Sequence, residues 1–243
     1  MKVVAIASTQ LHTHAIESET PYKLHEADLD EQGVKLEFPS NIDELAEIGG
    51  RNCYLSWDRP NQKTATNQGY LNNIISQNHF SVMEHGTVTF YVQGVSRSLL
   101  AELTRHRHLS FSVVSQRYVD ASELEFVVPP ILDELDEDVA VSAQEVLEYA
   151  DQESRLCYKT LVDIFVGQGY KRKQAREAAR AVLPNMTDSP MVVTGNIRAW
   201  RDVLSKRYHI AADKEIQQFA TLVLNQLRVL CPNSVQDIGE INE

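Results

Sequence analysis

Apolar residues along this chain follow two spacings, and each predicts a different element. Helical spacing comes first. Asn41-Ile42-Asp43-Glu44 has the form of a capping box and opens a helix through Leu45 and Ile48, weakened at its end by Gly49-Gly50. A short helix through Leu71, Ile74 and Ile75 follows, and Leu99, Leu100 and Leu103 share a face over 95–104. A long helix is expected over about 139–166, with Val146, Leu147, Ala150, Cys157, Leu161 and Ile164 inward. The next, over 173–183, stops at Pro184; it should bury Ala175, Ala178, Ala179 and Val182 and show a basic stripe of Arg172, Arg176 and Arg180. Helices over 197–206 and 213–230 complete the set. β-Branched and aromatic runs predict strands over 1–7, 87–92, 124–128 and 191–194. The residues up to Lys35 show no period, and 58–67 reads as a polar loop. Without regular βαβ alternation, repeats or linkers, the expectation is a single α+β domain over 1–243, a mixed or antiparallel sheet packed with several helices.

Composition narrows the function. With 243 residues and 43% hydrophobic content the chain can bury a sizeable core. No apolar run is long enough to cross a bilayer, and the N-terminus has no signal-peptide pattern, so the expectation is a soluble cytoplasmic protein with no membrane partner. A net charge of -11 opposes binding to nucleic acid, which needs many phosphate contacts. The acids of 133–138 read as a solvated helix entry. Cys53, Cys157 and Cys231 match neither a zinc spacing nor a disulfide framework. Each is expected as a small buried apolar group, and no sequence neighbour marks one as a nucleophile. The dinucleotide fingerprint and the P-loop are absent, so any nucleotide must be held by cationic side chains and helix ends.

Such cations are concentrated in 105–118. Three arginines, two histidines and three serines fall in this run of an acidic protein. Guanidinium forks grip phosphate at two points, and hydroxyls with backbone N–H groups complete such a cradle. Placement in the last turn of the 95–104 helix would account for Arg105 and Arg107 through the helix dipole, but not for Ser115-x-Arg117. The segment is therefore expected to hold a small anion.

Arg105-His106-Arg107, seven residues, then Ser115 and Arg117-Tyr118 resembles the signature of the flavin-dependent thymidylate synthases. Three further segments resemble the same family in order and spacing: His79-Phe80-Ser81-Val82-Met83-Glu84-His85, Arg180-Ala181-Val182-Leu183-Pro184, and Thr194-Gly195-Asn196-Ile197-Arg198-Ala199-Trp200, with Arg207 a helix further on. The resemblance implies a homotetramer that binds FAD, takes electrons from NADPH and a carbon from methylenetetrahydrofolate, and converts dUMP to dTMP without an enzyme cysteine. It implies Arg207 as the residue that activates the pyrimidine. Glu102, Leu103, Thr104, Arg105, Val113, Val114, Ser115, Gln116, Arg117 and Arg180 are implied around the nucleotide. Ser81, Arg105, His106, Arg107, Asn196, Ile197 and Arg198 are implied at the flavin, with His79 and Glu84 near flavin and folate.

Ser81 and Asn196 also suit helix or turn caps, and His85 an ordinary core or edge position. His106 between two arginines is expected outside the core, since burying such a cluster is costly. The chain departs from the family pattern at Ser112, Val113, Asp202 and Ala211; an acid at 202 beside a diphosphate is expected to weaken flavin binding. Two other readings remain: a metal-dependent hydrolase using His79, His106 and His108, and a non-catalytic nucleotide-binding module. Arg105 and Arg107 beside the histidines oppose a divalent cation, so no metal is expected.

Overall fold

A computed structural model describes residues 1–25, 40–59 and 61–241. Part of the aperiodic stretch before Lys35 lies outside the described residues; within it, a short helix α1 (Thr13–Glu19) forms where none is predicted. Four strands make one sheet: β1 (Lys2–Ser8), β2 (Thr87–Gln93), β3 (Ser110–Val113) and β4 (Met191–Asn196). Their order is β1-β2-β4-β3, every pair antiparallel. Alternation along β2 and β4 buries Val88, Phe90, Val92, Met191 and Val193 on one face.

The helices α7 (Ile197–Arg207) and α8 (Lys214–Leu230) contribute Trp200, Val203, Phe219, Val223 and Leu227 to the same core. Trp200 meets Phe90 edge-on at 4.9 Å and donates to the Val88 carbonyl at 3.2 Å, so its polar atom is satisfied inside the core. Gly195 permits this packing: a Cβ there would stand 2.5 Å from Leu109 and 3.1 Å from the Trp200 nitrogen.

Helix α2 (Asn41–Tyr54) differs from its reading in two ways. Its cap is Ser40, which accepts from Asp43 N at 3.1 Å, and it runs through Gly49-Gly50, where the Tyr70 ring packs against Gly50. Its inner face is Ile42, Asp43, Ala46 and Glu47 rather than Leu45 and Ile48. The buried acids are satisfied: Glu47 binds Arg51 at 2.5 Å and His25 at 2.8 Å, and Asp43 accepts from the Asn233 and Ser234 amides. Helix α3 (Asn67–Ser76) follows as expected.

Helix α4 (Arg97–Leu103) is capped by Ser96, whose hydroxyl is fixed by Glu215 at 2.6 Å. The strand expected over 124–128 is reduced to a bridge between Phe126 and Thr187; the fourth strand is β3, inside the arginine run. Helices α5 (Glu137–Gly167) and α6 (Arg172–Ala179) pair beside a small cluster of Ala121, Tyr158 and Ala179. The predicted phase of α5 holds only in part: Leu161 packs on this cluster and Leu147 is half-buried. Asp151 and Tyr158 face inward, and Val146, Ala150, Cys157 and Ile164 face out, because Arg155 pins the helix to the carbonyls of Ser122 and Leu124. On α6, Ala178 is exposed, as is Val182 in the short 3₁₀ turn that follows. Cys231 alone of the three cysteines is buried; Cys53 and Cys157 are exposed. No helix among the described residues is long and apolar enough to cross a membrane.

Candidate active site

The arginine run is anchored by two leucines. Leu103, the last residue of α4, and Leu109, just before β3, are both buried. Between them Arg105, Arg107 and His108 are exposed, while His106 turns inward. Arg105 and Arg107 thus lie beyond the helix, not in its last turn. His106 is 7% exposed, contrary to the expectation that its cationic neighbours would keep it out of the interior. Burial is tolerated because the imidazole is hydrogen-bonded on both sides and neutral. Its Nδ1 lies 3.1 Å from Asp202 Oδ2, and its Nε2 accepts from Arg207 Nε at 3.2 Å. Desolvation holds its pKa below the ordinary value; the Asp202 hydrogen bond opposes that shift and the Arg207 charge adds to it.

Arg207 ends α7 and meets α4. Its Nη1 donates to Glu102 Oε2 at 2.6 Å, and Nη2 reaches the Glu102 carbonyl at 3.4 Å. One guanidinium is thereby held by His106 and by Glu102, two positions separated by a helix turn and a bend. Lys206 donates to Asp202 Oδ1 at 2.6 Å, and Asp202 is held below the usual carboxylate range: desolvation opposes this, but hydrogen bonds from Lys206 and His106 outweigh it.

A cavity of about 320 Å³ opens beside this cluster, lined by Glu84, His108, Asn196, Arg198, Ala199 and Asp202. A second, of about 310 Å³, shares Arg198 and is lined by Cys53, His79 and Ser81 among others. Arg198 pairs with Glu84. Asn196 caps α7, accepting from Ala199 N at 2.8 Å, whereas Ser81 sits inside the short 3₁₀ turn Phe80–Glu84 and heads no helix. His85 is exposed, an edge histidine rather than a core one.

A family model described as "Thymidylate synthase complementing protein" matches residues 36–233. A relative from Mycobacterium phage D29, named as a probable flavin-dependent thymidylate synthase, is 58% identical over 199 residues, 82% of this chain and 84% of its own length. The flavin-dependent thymidylate synthase of Mycobacterium avium is 48% identical over 195 residues, 77% of this chain and 76% of its own. This chain belongs to the flavin-dependent thymidylate synthase family. Its fold agrees with a crystal structure of thymidylate synthase X from Helicobacter pylori with FAD and dUMP, at a TM-score of 0.60 and 20% identity over 97% of this chain and 99% of that one.

Within this family member, several residues read as ligand contacts have side chains that are buried or engaged by the protein itself. Leu103 and Ile197 are fully buried in the core, and Gln116 is buried, so Leu103 and Ile197 have only their backbone to offer. Val113 lies in β3, and Val114 N bonds the Pro190 carbonyl. Glu102 is the partner of Arg207. Of the basic stripe, Arg176 is committed to the Tyr118 carbonyl at 2.6 Å and to Asp120 at 2.9 Å, fixing the end of the arginine run, while Arg180 is exposed. Arg117 touches Glu177 only at 3.5 Å.

Four residues at the site escape the sequence reading. Arg97 carries no signal in the sequence; its pKa is lowered, first by burial and then by the charge of Arg180. Asp202 reads from the sequence as a repulsive departure, and Lys206 carries no signal there, yet the two are bonded to each other and Asp202 to His106. Cys53, without a sequence neighbour to mark it, shares a cavity with His79.

Proposed function

We propose that this chain reductively methylates dUMP to dTMP, with methylenetetrahydrofolate as carbon donor, NADPH as reductant and FAD as bound cofactor. The observation that carries the reading is Arg207, clamped between His106 and Glu102 next to a segment whose cations Arg105 and Arg107 form no ion pair among the described residues. A phosphate carries about -1.5 to -2 charge at neutral pH, and Ser115, Arg117 and Arg180, with Arg97, are its counter-groups. Arg207 faces the pyrimidine and favours the form of the ring deprotonated at N3, which makes C5 the better nucleophile. Glu102 orients the guanidinium for that task. Thr104 and the backbone of 113–116 complete the nucleotide pocket.

The donor set also fits a dinucleotide. Arg105, Arg107 and Arg198 are exposed guanidiniums, Ser81 adds a hydroxyl, and Asn196, whose oxygen caps α7, retains its amide donors. His79 and Glu84 border the two cavities next to Arg198 and serve the flavin and folate. When bound, FAD relays electrons from NADPH to the transferred carbon.

The chain acts as one domain over 1–243, in the cytoplasm, as a homotetramer. The outward apolar residues of α5, among them Val146, Tyr149, Leu156 and Ile164, support assembly. The hydrolase reading finds no support in the geometry: both ring nitrogens of His106 are engaged, and no group of three or more metal-binding side chains exists among the described residues.

Anaerobic addition of NADPH to the FAD-loaded protein, with and without dUMP, tests the proposal. Bleaching of the flavin, followed by dTMP formation once the folate is added, is expected. A flavin that stays oxidised with dUMP present overturns it.

A further inference from the structure

An acid at position 202, on the wall of a cavity read as a dinucleotide site, is unfavourable unless its charge is used. The structure shows where it is used. One oxygen accepts from Lys206 Nζ at 2.6 Å, and the other lies 3.1 Å from His106 Nδ1. Across the imidazole, His106 Nε2 stands 3.2 Å from Arg207 Nε. A guanidinium nitrogen only donates, so Nε2 must present its lone pair. In the neutral ring the proton therefore sits on Nδ1, where the Asp202 carboxylate accepts it. Protonating His106, or moving its proton to Nε2, sets two N–H groups against each other and breaks the contact with Arg207.

We infer that Asp202 is a positioning residue for Arg207: its carboxylate holds His106 in the Nδ1–H tautomer, and the Nε2 lone pair then sets the guanidinium against Glu102. The partner on one ring nitrogen fixing what the other can do is the general behaviour of histidine. Lys206 neutralises the free carboxylate oxygen, so Asp202 does not act as a bare charge toward the cavity. Any effect on turnover rests on the role proposed for Arg207, whereas the tautomer is a property of the fold and is measured without turnover.

The test uses FAD-loaded protein labelled with ¹⁵N-histidine, the His106 signals being assigned by their loss in His106→Asn. In the wild type at neutral pH, Nδ1 is expected as the protonated and Nε2 as the bare nitrogen. In Asp202→Ala, where Nδ1–H loses its acceptor and only the Arg207 contact still favours this tautomer, the Nε2–H form should gain population at the expense of Nδ1–H. kcat for dTMP formation should then fall by about tenfold or more, the scale on which orienting partners act at metal-ligand histidines, while dUMP affinity changes by less than about threefold, under 1 kcal/mol. The Asp202 side chain is 41% exposed, so truncation leaves the core intact.

Asp202→Asn has one acceptor oxygen to divide between His106 and Lys206, and kcat should follow whichever tautomer its spectrum shows. Nε2–H in the wild type, Nδ1–H undiminished in Asp202→Ala, or a kcat that moves independently of the tautomer overturns the inference. A wild type that makes no dTMP yet shows the Nδ1–H signal, diminished in Asp202→Ala, refutes the proposed activity and leaves the Asp202–His106 assignment standing.

Discussion

Replacing Arg207 by Ala removes a guanidinium that reaches two protein partners at once. With it go the 2.6 Å bond to Glu102 and the 3.2 Å bond to His106. For folding the cost is about 1–3 kcal/mol: Glu102 keeps 32% of its side chain exposed and is rehydrated, but the buried His106 loses the donor to its Nε2. For the reaction the effect is large. A donor aimed at charge that develops on the substrate contributes roughly 100–1,000-fold in rate, or about 2.7–4 kcal/mol.

Arg207→Lys separates charge from geometry. An ammonium on that stem can serve Glu102 or the substrate, but it lacks the fork that meets Glu102 and His106 together. One charged hydrogen bond disappears, about 1.5–3 kcal/mol, which places the variant roughly 10–150-fold below the wild type. The assay is dTMP formation under saturating substrates, read beside flavin reduction by NADPH and dUMP affinity by calorimetry. Turnover should fall more than affinity, and flavin reduction least, since that step places no charge on the pyrimidine. Arg207→Ala turning over within about threefold of the wild type, or losing flavin reduction in the same proportion as turnover, refutes the assignment.

Arg117→Ala is expected to weaken dUMP binding by about tenfold or more while FAD stays bound, since its contact with Glu177 at 3.5 Å leaves the guanidinium available to a phosphate; unchanged calorimetry removes Arg117 from that subsite. Replacing Cys53, Cys157 and Cys231 together by Ala should leave dTMP formation measurable and lower the melting temperature, because Cys231 is fully buried; a folded, flavin-loaded variant without turnover would restore Cys53, beside His79, as a nucleophile. The Asp43 carboxyl is pushed up to about 6, chiefly by burial, so the folded state favours its protonated form. That contribution is complete below about pH 4 and lost as the pH rises through 6; relative to Asp43→Asn, the wild type should lose on the order of 3 kcal/mol across the window, and urea titrations showing a constant difference would refute it.

Local signals recovered the elements whose partners lie near in sequence or whose pattern is strictly periodic. β2, β4, α4, α7 and α8 stand within about two residues of their predicted bounds, because alternation or a Ser, Asn or Asp cap marks them directly. Failures occur where a distant contact overrules the local pattern. Asp43 and Glu47 look like solvated helix acids until Asn233, Ser234 and His25 are brought to them. The apolar residues of α5 predict one inner face, but Arg155 and Tyr158 fix another. In β3 the polar residues Ser110 and Ser112 hide a strand that exists because β4 offers it an edge.

The site was legible in its residue types and not in their allegiances. A net charge of -11 conceals a division among the arginines that no composition can express. Arg51, Arg155, Arg176 and Arg201 are each tied to a carboxylate and a backbone carbonyl, and hold loops to helices. Arg105, Arg107 and Arg180 form no ion pair among the described residues. The stripe Arg172, Arg176, Arg180 crosses this division within two helical turns: Arg176 closes on Asp120, while the charge of Arg180 acts on Arg97. Periodicity alone makes the three equivalent. What separates them is whether the fold has already supplied an anion, and that depends on Asp120, 56 residues from Arg176. The same matching operates at Asp202, an acid expected from the sequence to weaken flavin binding, whose two oxygens the fold pairs with Lys206 and His106. A charged residue near a site can be assigned to ligand or to scaffold only after the counter-charges of the fold have been matched, because an unmatched charge is costly wherever water is excluded.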